Sequence, residues 1–300
     1  MVKNNQSLMC LLMLPLLFAL GACSAFNFGA DMAETSLEVR LETARLIGKQ
    51  AGLAPIEFSS REFNSFGYID IQDKNAPLMV YLEGDGIAYA ANGLATSDPT
   101  PLDPVGLRLA ALDKSPNRLW LARPCHYSLQ ATGDDLIAGT LPDDCESRYW
   151  TNARYSSSII DTLEQAINET SIEHGLKDIH LIGYSGGGAV ALLLADRLKN
   201  IASLRTIAGN LDPVGLGKHR GDFALSGSLD PTDIAVSIQH IPQLHYVGED
   251  DDIIPDWIAS SFIDNMNRID CVKILQIEDA DHVKGWTEFW QRAHAHLPAC

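Results

Sequence analysis

The sequence predicts an α/β fold, a mostly parallel central sheet with helices on both faces. Three observations predict it. Short apolar runs alternate with longer segments of helical periodicity, the pattern of βαβ units. The run Ile179–Gly183 reads as a buried strand between two such segments, as strands of a sheet covered on both faces do. The chain has 300 residues, 46% of them apolar and 20% charged. That composition is globular and excludes a disordered chain, a collagen and a coiled coil.

In order along the chain, residues 34–51 repeat Leu37, Val39, Leu41, Ala44, Leu46 and Ile47 at near-helical spacing and predict an amphipathic helix. Phe66–Ile71 and Leu78–Leu82 are apolar runs separated by Asp73-Lys74-Asn75, a hairpin signal. Arg118–Ala122 is a further short strand, and 153–174 is a helix with Ile159, Ile160, Leu163 and Ile167 on one face. The Ile179–Gly183 strand precedes an Ala- and Leu-rich helix, Gly188–Leu198. Leu204–Ala208, Gln243–Val247 and Val272–Ile277 complete the strands, with helices near 256–267 and 284–296. Stretches 86–117, 123–152 and 212–240 fit the alternation poorly and are expected to be structured loops. No linker or repeat interrupts the chain after residue 33, so 34–300 is expected to form one domain.

The formal net charge is −17 and the pI 4.8, which excludes a nucleic-acid backbone as the main partner. Residues 1–22 carry one charge, Lys3, and an apolar run from Leu8 to Leu20. The run is short for a bilayer span and suits the hydrophobic region of a signal peptide. It ends in Leu20-Gly21-Ala22-Cys23, which resembles the bacterial lipobox. The resemblance implies cleavage before Cys23, lipidation of its thiol, and a tether over 23–33. It also implies a place in the cell envelope as a membrane-anchored lipoprotein. Ser24 resembles the residue that directs such proteins to the outer membrane. Beyond Cys10 and Cys23 four cysteines are left, Cys125, Cys145, Cys271 and Cys300. Pairing Cys125 with Cys145 and Cys271 with Cys300 closes two local loops. Such bonds stabilise by about 2–4 kcal/mol each. Their spacing matches no zinc site, and no metal is expected.

The chemical signal is Gly183-Tyr184-Ser185-Gly186-Gly187, a G-x-S-x-G pentapeptide between a strand and a helix. That context suits a nucleophile elbow: a serine in a strained turn, its oxygen clear of the sheet at a helix N-terminus. Here the chain resembles the α/β-hydrolase superfamily over nearly all of 60–300. The resemblance implies the order Ser, Asp, His. Gly248-Glu249-Asp250-Asp251-Asp252-Ile253-Ile254-Pro255 is similar to the family's G-x-x-D-x-x-(V/I)-P and implies Asp251 as the acid. Asp250 and Asp252 are close rivals, and Asp212, after an earlier strand, is a further one. His282, just past the last strand, is the implied base; His180 and His245 sit inside strands, and His294 and His296 in the last helix.

The strand ending Leu82-Glu83-Gly84-Asp85-Gly86 corresponds to the family's oxyanion turn, with Glu83-Gly84 where His-Gly is usual. The resemblance implies the backbone N–H groups of Asp85 and Gly186 as oxyanion donors. Glu83, Asp85 and Tyr184 are candidates for contact with a polar substrate group, and Glu83 and Asp85 equally for holding the loop. Together with Asp98-Pro99-Thr100-Pro101, Ala122-Arg123-Pro124-Cys125, Tyr149-Trp150 and Gly227-Ser228-Leu229-Asp230-Pro231, these motifs are similar to a branch of bacterial secreted or lipoprotein hydrolases. The expected reaction is acyl transfer to Ser185 and hydrolysis, without a cofactor, on a small-molecule or acyl substrate, most readily a carboxylic ester. Thioesterase, amidase and peptidase activities, or a non-catalytic binding protein on the same fold, are the alternatives. Trp150, Trp257, Trp286 and Tyr89 are candidate pocket aromatics, although large aromatics more often belong to a core.

Overall fold

The computed structural model describes residues 36–127, 129–132, 135–138, 142, 144–221 and 225–300; the leader 1–22, Cys23 and the tether to residue 33 lie outside them. Helix α1 (Leu37–Gln50) leads to β1 (Ala54–Ser59), β2 (Asn64–Ile71) and β3 (Leu78–Leu82). Helix α2 (Val105–Leu112), β4 (Asn117–Leu121), β5 (Leu129–Thr132), β6 (Asp135–Ala138) and α3 (Ser157–His174) follow. Then come β7 (Ile179–Tyr184), α4 (Gly186–Arg197), β8 (Ile201–Ile207), α5 (Pro213–Arg220) and the short α6 (Ala235–Ile238). The chain ends with β9 (Gln243–Gly248), α7 (Trp257–Ile263), β10 (Val272–Ile277) and α8 (Trp286–Ala293).

Eight strands form one sheet in the order β1-β2-β4-β3-β7-β8-β9-β10, and β5 and β6 form a separate hairpin. From β4 to β10 neighbours run parallel; β2 is antiparallel to both β1 and β4. Every residue of β3 and β7 is buried, as central parallel strands covered on both faces must be. Alternate side chains serve two cores. Leu78, Val80 and Leu82 face the side covered by α3 and α4. Met79 and Tyr81 face the side of α2 and α8. Buried His180 of β7 and His245 of β9 are each paired with a residue of β8. His180 Nδ1 lies 2.6 Å from Ser203 Oγ, and His245 Nδ1 lies 2.9 Å from Thr206 Oγ1.

The expected hairpin of Phe66–Ile71 with Leu78–Leu82 is not formed: β4 lies between these strands. The turn that suggests a hairpin wraps instead around Asn117 of β4. Its Nδ2 donates to the carbonyls of Asp73 at 2.6 Å and Ala76 at 2.9 Å, and its Oδ1 accepts from the Gln72 and Asp73 amides. Arg118, next along β4, bonds Asp70 of β2 at 2.6 Å. Three stretches expected to be loops also carry regular elements. Helix α2 lies in 86–117, the β5–β6 hairpin in 123–152, and α5 in 212–240. The Asp212-Pro213 pair does mark the start of α5: Asp212 Oδ1 accepts the Gly215 amide at 2.7 Å and Pro213 opens the helix. Disulfides join Cys125 to Cys145 and Cys271 to Cys300, the expected pairing.

Candidate active site

The turn that carries Ser185 is built by close backbone approach. Ser185, between β7 and α4, takes φ 52° and ψ −122°, a conformation that costs of the order of 1–3 kcal/mol for a residue with a Cβ. The glycines around it permit the approach. A Cβ on Gly183 would stand 2.2 Å from the Gly187 carbonyl oxygen, and one on Gly187 2.3 Å from that of Leu82. The serine amide donates to Ile207 of β8, and the serine carbonyl accepts from Gly188 and Asn210. The side chain is thereby carried at the C-terminal edge of the sheet, at the N-cap of α4.

The loops after β9 and β10 meet it there. Glu249 donates to the Ile277 carbonyl and Asp250 to that of Ala280, both at 3.0 Å. Asp251 Oδ1 accepts the amides of Ile253 at 2.9 Å and Ile254 at 2.8 Å, which leaves Oδ2 at 2.9 Å from His282 Nδ1. His282 Nε2 then lies 3.0 Å from Ser185 Oγ. The Asp251 side chain is inaccessible to solvent and that of His282 is 13% exposed. The rival acids lie elsewhere. Asp250 and Asp252 are exposed, and Asp212 caps α5 while accepting Ser261 Oγ at 2.5 Å.

Sequence comparison is silent: no family model matches this chain, and no curated protein matches it. Solved structures are informative. The chain is similar to an esterase from Pyrococcus furiosus, with 14% identity and TM-score 0.55 over 81% of this chain and 89% of that one. It is similar to Est1E from Butyrivibrio proteoclasticus, with 11% identity and TM-score 0.53 over 80% and 95%. It is also similar to an α/β serine hydrolase homologue from Coxiella burnetii, with 14% identity and TM-score 0.50 over 81% and 97%. The fold is that of the α/β-hydrolases.

In this α/β-hydrolase fold the turn after β3 faces the turn that carries Ser185. A Cβ on Gly84 would stand 3.2 Å from Ser185 Cβ, and one on Gly186 2.0 Å from Asp85 Oδ1. Among the described residues neither the Asp85 nor the Gly186 main-chain N–H donates to a protein acceptor. The Asp85 carboxylate is engaged by Arg123 at 2.8 Å, Arg154 at 3.2 Å and the Tyr155 hydroxyl at 2.8 Å. Burial alone pushes its carboxyl up, but Arg154, Arg123 and Tyr155 outweigh that and hold it below the usual value. Gly86 has φ +65° and packs against the carbonyl of Pro99. Buried His126 packs there too; burial, with Arg123 adding to it, pushes its imidazole down to about 3.

Glu83 and Tyr184, candidates for contact with a substrate group, are both buried, and of the two roles open to Glu83 its bonds are those of holding the loop. Glu83 is 1% exposed. Its Oε1 accepts the amides of Gly84 at 3.0 Å and Gly106 at 3.2 Å; its Oε2 accepts Leu107 N–H at 3.2 Å and Trp120 Nε1 at 3.0 Å. It supplies the acceptor that the N-terminus of α2 lacks locally, and so pins the turn after β3 to that helix. Tyr184 is buried, its hydroxyl donating to the His282 carbonyl at 2.8 Å. The aromatic candidates resolve similarly: Trp150 and Trp286 belong to the core, and Trp257 packs against His219. Arg154 and Tyr155 escape sequence reasoning because no local pattern marks them as partners of Asp85.

Proposed function

We propose that this protein is a serine hydrolase that works through an acyl-enzyme, with Ser185, His282 and Asp251 as its triad. One observation carries the proposal: the unbroken relay from Ser185 Oγ through His282 to Asp251, at 3.0 Å and 2.9 Å, at a strained strand–helix turn. A serine hydroxyl is a weak nucleophile at neutral pH and needs a base within hydrogen-bond reach. In the proposed reaction His282 Nε2 takes the Ser185 proton as Oγ attacks an acyl carbon. The imidazolium so formed is stabilised by Asp251 Oδ2, whose other oxygen is held by two amides. The oxyanion is received by the N–H groups of Asp85 and Gly186 at the head of α4. His282 returns the proton to the leaving group, and a water deprotonated by His282 cleaves the acyl-enzyme.

Carboxylic esters are the proposed substrates, with small or polar acyl groups, because two of the candidate pocket aromatics, Trp150 and Trp286, are spent on the core. Amides, peptides and thioesters are the competing classes. The same proposal holds the chain at the bacterial cell envelope through acyl groups on Cys23, on the strength of Leu20-Gly21-Ala22-Cys23. Loss of detergent-phase partitioning in Cys23→Ser tests the anchor. The activity is tested by intact mass after fluorophosphonate treatment. A single adduct is expected on the wild-type protein, none on Ser185→Ala, and slow labelling of His282→Ala. An unlabelled, folded wild-type protein would overturn the triad and bring forward a non-catalytic role. Comparison of matched ester, thioester and amide substrates then ranks the classes.

A further inference from the structure

A carboxylate is out of place on a turn that must receive a developing anion. Asp85 nevertheless carries one, and it lies against Gly186, the second donor residue: a Gly186 Cβ would stand 2.0 Å from Asp85 Oδ1. A negative charge so near would oppose the oxyanion. Two arginines from distant segments answer it. Arg123, just past β4, bonds Oδ1 at 2.8 Å with a side chain 4% exposed. Arg154, in the loop before α3, pairs with Oδ2 at 3.2 Å with a side chain 18% exposed. Arg123 also donates to the Arg154 carbonyl, which ties the two segments together. Tyr155 lies between them, its ring centroid 5.4 Å from each guanidinium carbon and its hydroxyl on Oδ2 at 2.8 Å.

One arginine suffices to neutralise one carboxylate. Burying a second cation is expensive unless something uses its charge. Resting on the serine-hydrolase reading above, we propose that Arg123 and Arg154 are positioning residues of the oxyanion turn. They clamp the Asp85 carboxylate and exceed its charge, so that the Asp85 and Gly186 amides face the substrate in a net positive field. Asp85 thereby has two roles. Its side chain is the handle by which the turn is held, and its amide is the donor that the turn presents. Neither arginine touches the substrate.

The test is the kinetics of fluorophosphonate inactivation, which separates the binding constant KI from the maximal rate kinact. The phosphoryl oxygen of this probe occupies the position of the oxyanion. Wild type, Arg154→Gln, Arg154→Lys, Asp85→Asn and the double variant Asp85→Asn/Arg154→Gln are compared, each checked for a native melting transition. Arg154→Gln is expected to lower kinact about 10- to 100-fold with KI within about 2-fold, a loss confined to the transition state. Arg154→Lys restores the charge and is expected to recover most of the rate. In the Asp85→Asn background the same Arg154→Gln change is expected to cost less than about 3-fold, because no carboxylate is left to cancel. Equal losses for Gln and Lys, equal penalties in both backgrounds, or an unchanged kinact would overturn this proposal while leaving the hydrolase reading standing. Failure of the wild-type protein to react would overturn that reading, and this proposal with it.

Discussion

The hydroxyl of Tyr184 donates to the backbone carbonyl of His282 at 2.8 Å. The residue that precedes Ser185 therefore holds the loop that carries His282. The two rings lie 5.6 Å apart, and Trp286 Nε1 donates to the same carbonyl at 3.2 Å and to that of Asp281 at 2.8 Å. Two side chains, one from β7 and one from α8, converge on one carbonyl, and the imidazole follows from where that group is fixed. Tyr184→Phe keeps the ring and removes only the donor. It is expected to cost about 1 kcal/mol in stability. Its kcat should fall about 10-fold with KM little changed, because misplacing a base is felt in the transition state. Urea denaturation alongside ester kinetics measures both; a KM effect without a kcat effect would argue against this role for the tyrosine.

Three consecutive acids follow β9, and the geometry distinguishes them. Asp251 alone is buried and faces His282, held by the amides of Ile253 and Ile254. Asp251→Asn preserves shape but presents an amide to Nδ1 and favours the wrong tautomer. A loss of about 10⁴-fold in kcat is expected, as for the acid of a Ser-His-Asp triad. Asp250→Asn and Asp252→Asn, at exposed positions, are expected to change kcat less than about 3-fold. Steady-state kinetics on the three variants checks the assignment.

What was legible in the sequence is what folds locally. Ser185 follows directly on β7, and Asp251 and His282 lie in the loops just past β9 and β10, so strand periodicity together with the resemblance to the α/β-hydrolase order points to them. The two disulfides close short loops and were equally readable. The β5–β6 hairpin is local and was missed in a stretch rich in Pro, Asp, Thr and Gly; other features missed depend on partners far along the chain. Strand β4 separates β2 from β3 because Asn117 captures the turn between them, a contact across more than 40 residues. Helix α2 has no local cap, and its acceptor is Glu83, 23 residues earlier at Gly106. Asp85 finds Tyr155 across 70 residues. The substrate-contact role considered for Glu83 fails for the same reason: a carboxylate beside a glycine turn says nothing of the four donors that enclose it.

The glycines of the turn that carries Ser185 are placed by backbone contact. A Cβ on Gly187 would stand 2.3 Å from the Leu82 carbonyl oxygen and 2.7 Å from that of Glu83. Both belong to the strand end and turn that align the proposed oxyanion donors. Backbone cannot yield as the end of a flexible side chain can. Gly187→Ala is therefore expected to lose about 3 kcal/mol or more and, in whatever protein folds, most of the reactivity of Ser185. Gly93→Ala is the control for handling an exposed glycine away from the core, since nothing lies within 4 Å of its Cβ position; its φ of +77° limits the expected cost to about 1 kcal/mol. Melting temperatures and fluorophosphonate labelling of the two variants make the comparison.

Glu83 makes the stability of this fold depend on pH in a defined direction. Burial pushes its carboxyl up to about 7, against the opposing pull of the Gly84, Gly106, Trp120 and Leu107 N–H groups. The folded protein therefore holds this proton more tightly than the unfolded chain, whose carboxyl titrates near 4.5. The resulting stabilisation is complete below pH 4.5 and is lost as pH rises through 7. A difference of this size corresponds to about 3 kcal/mol. Other groups titrate in the same interval, so the informative quantity is the stability of wild type minus that of Glu83→Gln, measured by urea denaturation from pH 4.5 to 8. That difference is expected to shrink by about 3 kcal/mol as the pH rises and to be flat above pH 8. A difference independent of pH would mean that Glu83 is ionised throughout, with its four donors outweighing its burial.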